Sequence, residues 1–162
     1  MISSSELAGL RAALRLVQRD LDSHPRVETR NRPAEAEDQA GDEADGPAGI
    51  PRAARLQLVG TEQGVFVALP DGRFWPAGAG PLPGGTQGGA TVVAVAMRVQ
   101  ECLAEILWHS WPRCSDHDTA LRPEACDDDA VWCCDADVGH QVAAIGRLAQ
   151  SGSSPLGAPT GT

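Results

Sequence analysis

The sequence contains no lysine and no tyrosine, and aromatic residues make up only 4% of its 162 residues. Its thirteen basic residues are therefore all arginines, and 22 acidic residues outweigh them to give a formal net charge of −9. A nucleic-acid-binding protein needs a basic stripe to neutralise a run of phosphates, and the sequence shows none. We therefore expect neither nucleic acid nor an anionic membrane as a partner.

Long apolar runs are also missing, since no stretch approaches the roughly eighteen residues that span a bilayer. The amino-terminal region carries charges at Glu6, Arg11 and Arg15, so it contains no uncharged signal core. We expect a cytoplasmic protein. In that compartment thiols stay reduced, so the five cysteines are interpreted as metal ligands or core residues before disulfides.

The glycine-rich segment 78–89 raises the possibility of a phosphate-binding loop. A P-loop ends in Gly-Lys followed by Ser or Thr, which a chain without lysine cannot supply. The glycine spacing and context also differ from a dinucleotide-binding turn. The segment is therefore predicted to be a flexible connector.

The first predicted helix covers residues 4–22 and forms an amino-terminal unit, 1–25. Ser3 and Glu6 have the spacing of a capping box, and leucines then recur at three- and four-residue steps. Such a helix either packs on the domain core or docks a partner or second copy. The acidic segment 26–52 has almost no large apolar side chain and is predicted to be a disordered linker, as 151–162 is predicted to be a disordered tail.

The remaining segment, 53–150, is predicted to be a small α+β domain. Alternation predicts strands near 55–59, 64–69 and 73–76, with a turn at Pro70-Asp71-Gly72 between the last two. An apolar stripe predicts a second helix over 91–109, and Cys102 on that stripe is interpreted as a buried core thiol.

The candidate reactive and metal-binding side chains are concentrated in the carboxyl-terminal third, where four of the five cysteines and three of the four histidines lie. Cys114 and His117 have two residues between them, and Cys134 and His140 have five. Thiolate and imidazole are the ligands that zinc prefers, and four of them complete its tetrahedral shell. The pattern predicts a structural Zn²⁺ site formed by Cys114, His117, Cys134 and His140.

Strand alternation separates the two adjacent thiols of this pattern. Trp132 and Cys134 should face one side of a strand and Cys133 the other, which makes Cys134 the ligand. His140 is the most open of the four assignments because its step from Cys134 is long. Asp137, Cys133 or Cys126 could take its place in the shell.

Region 111–146 resembles zinc-ribbon and zinc-knuckle modules, in which two short ligand turns clamp one zinc ion. It also resembles small uncharacterised bacterial proteins in which a tryptophan precedes each ligand turn and Ile-Gly ends the unit. The residues that carry this resemblance are Trp111, Cys114, His117, Trp132, Cys134, Ile145 and Gly146. The resemblance implies a zinc-stabilised fold but no activity.

These observations favour a non-enzymatic, zinc-stabilised module that interacts with a protein partner. The alternative is a metal- or cysteine-dependent enzyme such as a hydrolase, in which Cys133 would be activated by His109 or His140. A metalloenzyme would need an open coordination position beside a carboxylate, whereas four protein ligands close the shell. The oligomeric state does not follow from the sequence.

Overall fold

The computed structural model describes residues 2–23, 55–75, 80–108, 110–136 and 139–150. Over these ranges the protein has the predicted α+β fold, with two α-helices and two small antiparallel sheets. The elements in chain order are α1 Ser4–Ser23, β1 Gln57–Thr61, β2 Gly64–Ala68, α2 Gly88–Leu107, β3 Arg122–Cys126, β4 Asp129–Cys134, β5 His140–Ala144 and a 3₁₀ helix Leu148–Gln150. The predicted linker 26–52 and tail 151–162 lie outside the described residues.

Helix α1 begins with the predicted capping box. The backbone N–H of Ser3 donates to Glu6 Oε2 at 2.7 Å, and the Glu6 N–H donates to Ser3 Oγ at 3.2 Å. The bond from the Ser3 N–H is the largest of the effects that lower the pKa of Glu6. Along the helix Leu10, Leu14 and Val17 are buried, and the helix packs on α2. Packing on the core was one of the two predicted roles of this helix.

The β1–β2 hairpin lies near the predicted positions, although β1 begins two residues later than expected. The predicted turn follows it, since the Leu69 N–H donates to the Arg73 carbonyl at 2.7 Å and Gly72 adopts a φ of 88°. The predicted strand 73–76 is reduced, in its described part, to a single bridge between Ala68 and Phe74. Pro76 follows closely and has no N–H with which to extend a ladder.

Helix α2 confirms the second predicted helix but is displaced toward the amino terminus. It begins at Gly88 and ends at Leu107, where Trp108 adopts a left-handed conformation and its N–H donates to the Leu103 carbonyl. Cys102 is buried as predicted, its thiol lies 3.5 Å from the Val67 carbonyl oxygen, and burial raises its pKa. None of the described helices is long and apolar enough to cross a membrane.

The second sheet has the strand order β3-β4-β5, so β4 is central. Trp132 on β4 is fully buried, and its ring meets that of Trp111 edge-on with 5.5 Å between centroids. Helix α2 packs against β3 and β4. The predicted alternation is confirmed, since Trp132 and Cys134 are buried in the core whereas Cys133 is half-buried outside it. This sheet positions the candidate site.

Candidate metal centre

The structure brings together the four side chains that the sequence singled out. The candidate ligand atoms of Cys114, His117, Cys134 and His140 all lie within 4.8 Å of one another. Both cysteines are buried, His117 is exposed and His140 is half-buried. The cluster therefore lies at the boundary between the core and solvent, with sulfur inside and imidazole outside. Such a group could hold a metal ion.

The first pair lies on a tight turn formed by residues 113–120, called here the ligand turn. A bridge between Arg113 and Ala120 closes it, and the Cys114 N–H donates to the Thr119 carbonyl at 2.8 Å. Inside the turn the Asp118 N–H donates to the Cys114 carbonyl at 2.9 Å, and Asp118 takes a positive φ of 52°. The chain thus reverses between the two candidate ligands, which aims both toward the same point.

Helix α2 holds the base of the ligand turn. The side-chain amide of Gln100 donates to the carbonyl oxygens of Trp111 at 3.2 Å and Leu121 at 2.7 Å. A backbone hydrogen bond of 2.8 Å from the Leu121 N–H to the Pro112 carbonyl joins the two arms directly. The position of Cys114 is therefore defined by the helix as well as by local turn geometry.

The second pair lies on the β4–β5 hairpin. Trp132 pairs with Ala143, and an unbroken register would put Cys134 opposite Gln141. A bulge just after Trp132 shifts the register by one residue, so Cys134 lies directly opposite His140. Directly paired residues on antiparallel strands have neighbouring side chains on one face. The bulge is what places His140 in the cluster, and bulges re-aim side chains in this way.

The distances within the cluster agree with those of a tetrahedral site. Bonds of about 2.3 Å to sulfur and about 2.0–2.1 Å to nitrogen put neighbouring sulfur and nitrogen ligands roughly 3.5–3.6 Å apart. The Nδ1 atom of His117 lies 3.5 Å from both Cys114 Sγ and Cys134 Sγ. The Nε2 atom of His140 lies 3.7 Å from Cys114 Sγ. The two histidines thus present different ring nitrogens to one centre.

The hydrogen bonds around Cys134 favour its thiolate form. The Thr119 hydroxyl lies 3.3 Å from Cys134 Sγ, and this bond is the largest cause of a lowered pKa of the thiol. Burial opposes the shift, and the Ala136 backbone N–H assists it. The thiolate is the form of cysteine that binds metals. Thr119 had no signal in the sequence, because its role depends on the way the ligand turn folds back toward β4.

The alternative ligands named from the sequence do not join the described cluster. Cys133 points away from it, and burial together with a hydrogen bond to Glu124 raises the pKa of its thiol. Cys126 is exposed at the end of β3. Asp137 lies outside the described residues, as does His109, the suggested base for Cys133. A raised thiol pKa is opposite to what a cysteine nucleophile requires.

No protein-family model, curated protein or solved structure matches this chain. The resemblance to zinc ribbons accordingly stays a prediction.

Proposed function

We propose that Cys114, His117, Cys134 and His140 bind one Zn²⁺ ion. The observation that carries this proposal is the set of sulfur–nitrogen separations of 3.5, 3.5 and 3.7 Å, close to the edge of a tetrahedral zinc shell. Two thiolates and two imidazoles suit zinc better than magnesium or calcium, which prefer oxygen ligands. Zinc is the metal that best fits both donor set and spacing.

The ion would be structural rather than catalytic. A catalytic zinc site typically has three protein ligands and one open position for water, whereas this cluster supplies four ligands. The ion would join the ligand turn to the β4–β5 hairpin, two segments that meet through tertiary contacts. In small modules such binding contributes directly to folding free energy.

We further propose that the zinc-stabilised domain binds a protein partner. Trp108 is 92% exposed and Met97 is 46% exposed; Met97 lies on α2, and Trp108 follows the last residue of this helix. The proposal takes these two side chains as parts of one exposed apolar surface, a feature typical of interaction sites. Because this chain has a net charge of −9, the partner surface that would complement it is an apolar pocket with a basic rim.

Metal content of the purified full-length chain tests the zinc site. We expect about one zinc per chain in the wild type and in the Cys133→Ser control, and strong loss in Cys114→Ser. Cobalt substitution adds a check of geometry, since tetrahedral Co²⁺ bound by thiolates has characteristic visible and near-ultraviolet absorption. Absence of zinc from freshly prepared, reduced protein would overturn the proposal.

The variant His140→Ala separates the structural site from the enzyme alternative. If the shell has four protein ligands, this variant binds zinc more weakly and its Co²⁺ spectrum changes. If it retains zinc with the wild-type affinity and spectrum, His140 is not a ligand and a fourth position is open to water. The hydrolase alternative would then be favoured.

A photo-crosslinking residue at position 108 tests the partner proposal in the source cells. We expect one crosslinked protein with a basic surface, and none when the crosslinker replaces Arg11, an exposed residue of α1. Crosslinks to a second copy of the chain would replace the proposed partner by self-association. Equal crosslinking at both positions would remove the basis for a specific site at the end of α2.

A further inference from the structure

Asp20 is a buried charged residue outside the candidate metal cluster. It is 1% exposed, and its carboxylate accepts three N–H groups from the carboxyl-terminal part of the chain. The indole of Trp132 donates to Oδ2 at 2.8 Å, the backbone of Gly146 donates to Oδ2 at 2.6 Å, and that of Leu148 donates to Oδ1 at 2.8 Å. Each buried donor is thereby satisfied, at the cost of burying a carboxylate in the core.

The partners of Asp20 lead directly to both halves of the cluster. Trp132 lies two residues before Cys134 on the same buried face of β4. Its ring packs edge-on against Trp111, which lies three residues before Cys114. The contact between the two rings therefore links the two ligand-bearing segments, and Asp20 accepts the indole N–H of one of them.

The same helix also approaches the chain just after β5. A Cβ atom added to Gly146 would lie 3.0 Å from Leu16 Cδ2 and 3.3 Å from Leu16 Cβ, and Gly146 has a φ of 96°. Helix α1 thus lies tightly against the segment that follows His140 and its strand. The Ile-Gly ending noted in the sequence is the place where α1 packs.

We propose that Asp20 is a positioning residue that couples the docking of α1 to metal binding at the cluster. The inference rests on the proposed zinc site. With Asp20 in place, Trp132 and the end of β5 are held where Cys134 and His140 can face the ligand turn. Without it, the apo protein populates arrangements in which these groups are misaligned. The apparent zinc affinity then falls in proportion to the fraction of the protein that remains in the binding-competent arrangement.

Such a coupling is reciprocal. If docked α1 raises the affinity for zinc, bound zinc must stabilise docked α1 by the same factor. A residue that contributes only to global stability has no such effect on the affinity of protein that is already folded. Hydrogen exchange of α1 amides, with and without zinc, therefore reports on the coupling independently of the affinity.

The test compares full-length Asp20→Asn with the control Gln18→Ala. Gln18 lies on the same helix and is also buried, but its side-chain oxygen accepts the N–H of Leu56, just before β1, instead of a group near the candidate ligands. Zinc affinities are measured by competition with a chromophoric chelator under conditions where the apo forms are folded. We expect about a tenfold loss in Asp20→Asn and less than about a threefold loss in the control.

Zinc should also slow α1 amide exchange in the wild type and in Gln18→Ala, but not in Asp20→Asn. Equal affinities for the wild type and Asp20→Asn would overturn the coupling while leaving the zinc site intact. A wild type that binds no zinc would overturn both. If Asp20→Asn does not fold without zinc, Trp132→Phe removes the indole N–H together with part of the buried ring, and hydrogen exchange is then the deciding measurement: loss of the zinc-dependent slowing of α1 exchange supports the coupling, and slowing as in the wild type overturns it.

Discussion

Replacing Gly89 by alanine tests how the amino end of α2 meets the turn between β3 and β4. A Cβ atom at this position would lie 2.7 Å from the Asp129 carbonyl carbon, closer still to its oxygen, and 3.2 Å from the Asp128 carbonyl oxygen. These are backbone atoms, so the helix or the turn would have to move. The control is Gly9, an exposed residue of α1 where an added Cβ meets nothing within 4 Å.

The two substitutions should change the free energy of unfolding in opposite directions. Alanine is favoured over glycine in a helix by about 0.5–1 kcal/mol, which is the stabilisation expected for Gly9→Ala. Overpacking typically costs about 1–3 kcal/mol, so Gly89→Ala should be net destabilising by about 1–2 kcal/mol. Urea unfolding followed by far-ultraviolet circular dichroism measures both. If Gly89→Ala is as stable as Gly9→Ala, the helix does not abut the turn as described.

Three further predictions concern the metal and the helix cap. A chelator should lower the melting temperature by about 10 °C if free zinc stands about a thousandfold above its Kd, and an unchanged melting temperature would contradict a folding role. Deleting Val142, the residue skipped by the β-bulge, should leave a regular ladder with Cys134 still opposite His140, so the zinc affinity should stay within about threefold of the wild type; a loss of more than about tenfold would show that the bulge itself shapes the site. The hydrogen bond from the Ser3 N–H lowers the pKa of the Glu6 carboxyl. The carboxylate therefore contributes its full stabilisation above the pKa of unfolded Glu, about 4.3, and this contribution is lost as the pH falls through the lower pKa of the folded state. The free energy of unfolding measured against pH should lack this component in Glu6→Gln, and identical profiles for the two proteins would exclude it.

Local signals were sufficient for much of the fold. The capping box and the leucine repeat identified α1, because both depend on contacts within one or two helical turns. The start of α2 was placed three residues late, since Gly88 and Gly89 have the composition of a loop. Close approach of the Asp129 backbone accounts for Gly89, and such an approach has no signature in neighbouring residues.

The site shows the same division between local and long-range information. Alternation predicted that Cys134 and Cys133 would face opposite sides of the strand, which agrees with their burial, because neighbouring residues of a strand point to opposite faces. The five residues between Cys134 and His140 made His140 the most open of the four assignments, and in the structure the two residues lie opposite each other on a bulged hairpin. The relevant distance is measured across the strands, so the number of residues between them has little bearing on it.

The role of Asp20 could not be predicted from the local sequence pattern. Its three hydrogen bonds reach residues 112, 126 and 128 positions away, and on its own helix it occupies the place of an ordinary polar residue. A buried carboxylate without partners is costly, so the sequence tolerates one here only because the chain returns with three N–H groups. Along the chain, one of these three groups precedes β5, which begins with His140, and the other two follow it. The position of the first helix and the position of the candidate ligands are therefore set by shared contacts, and a change to one must be felt at the other.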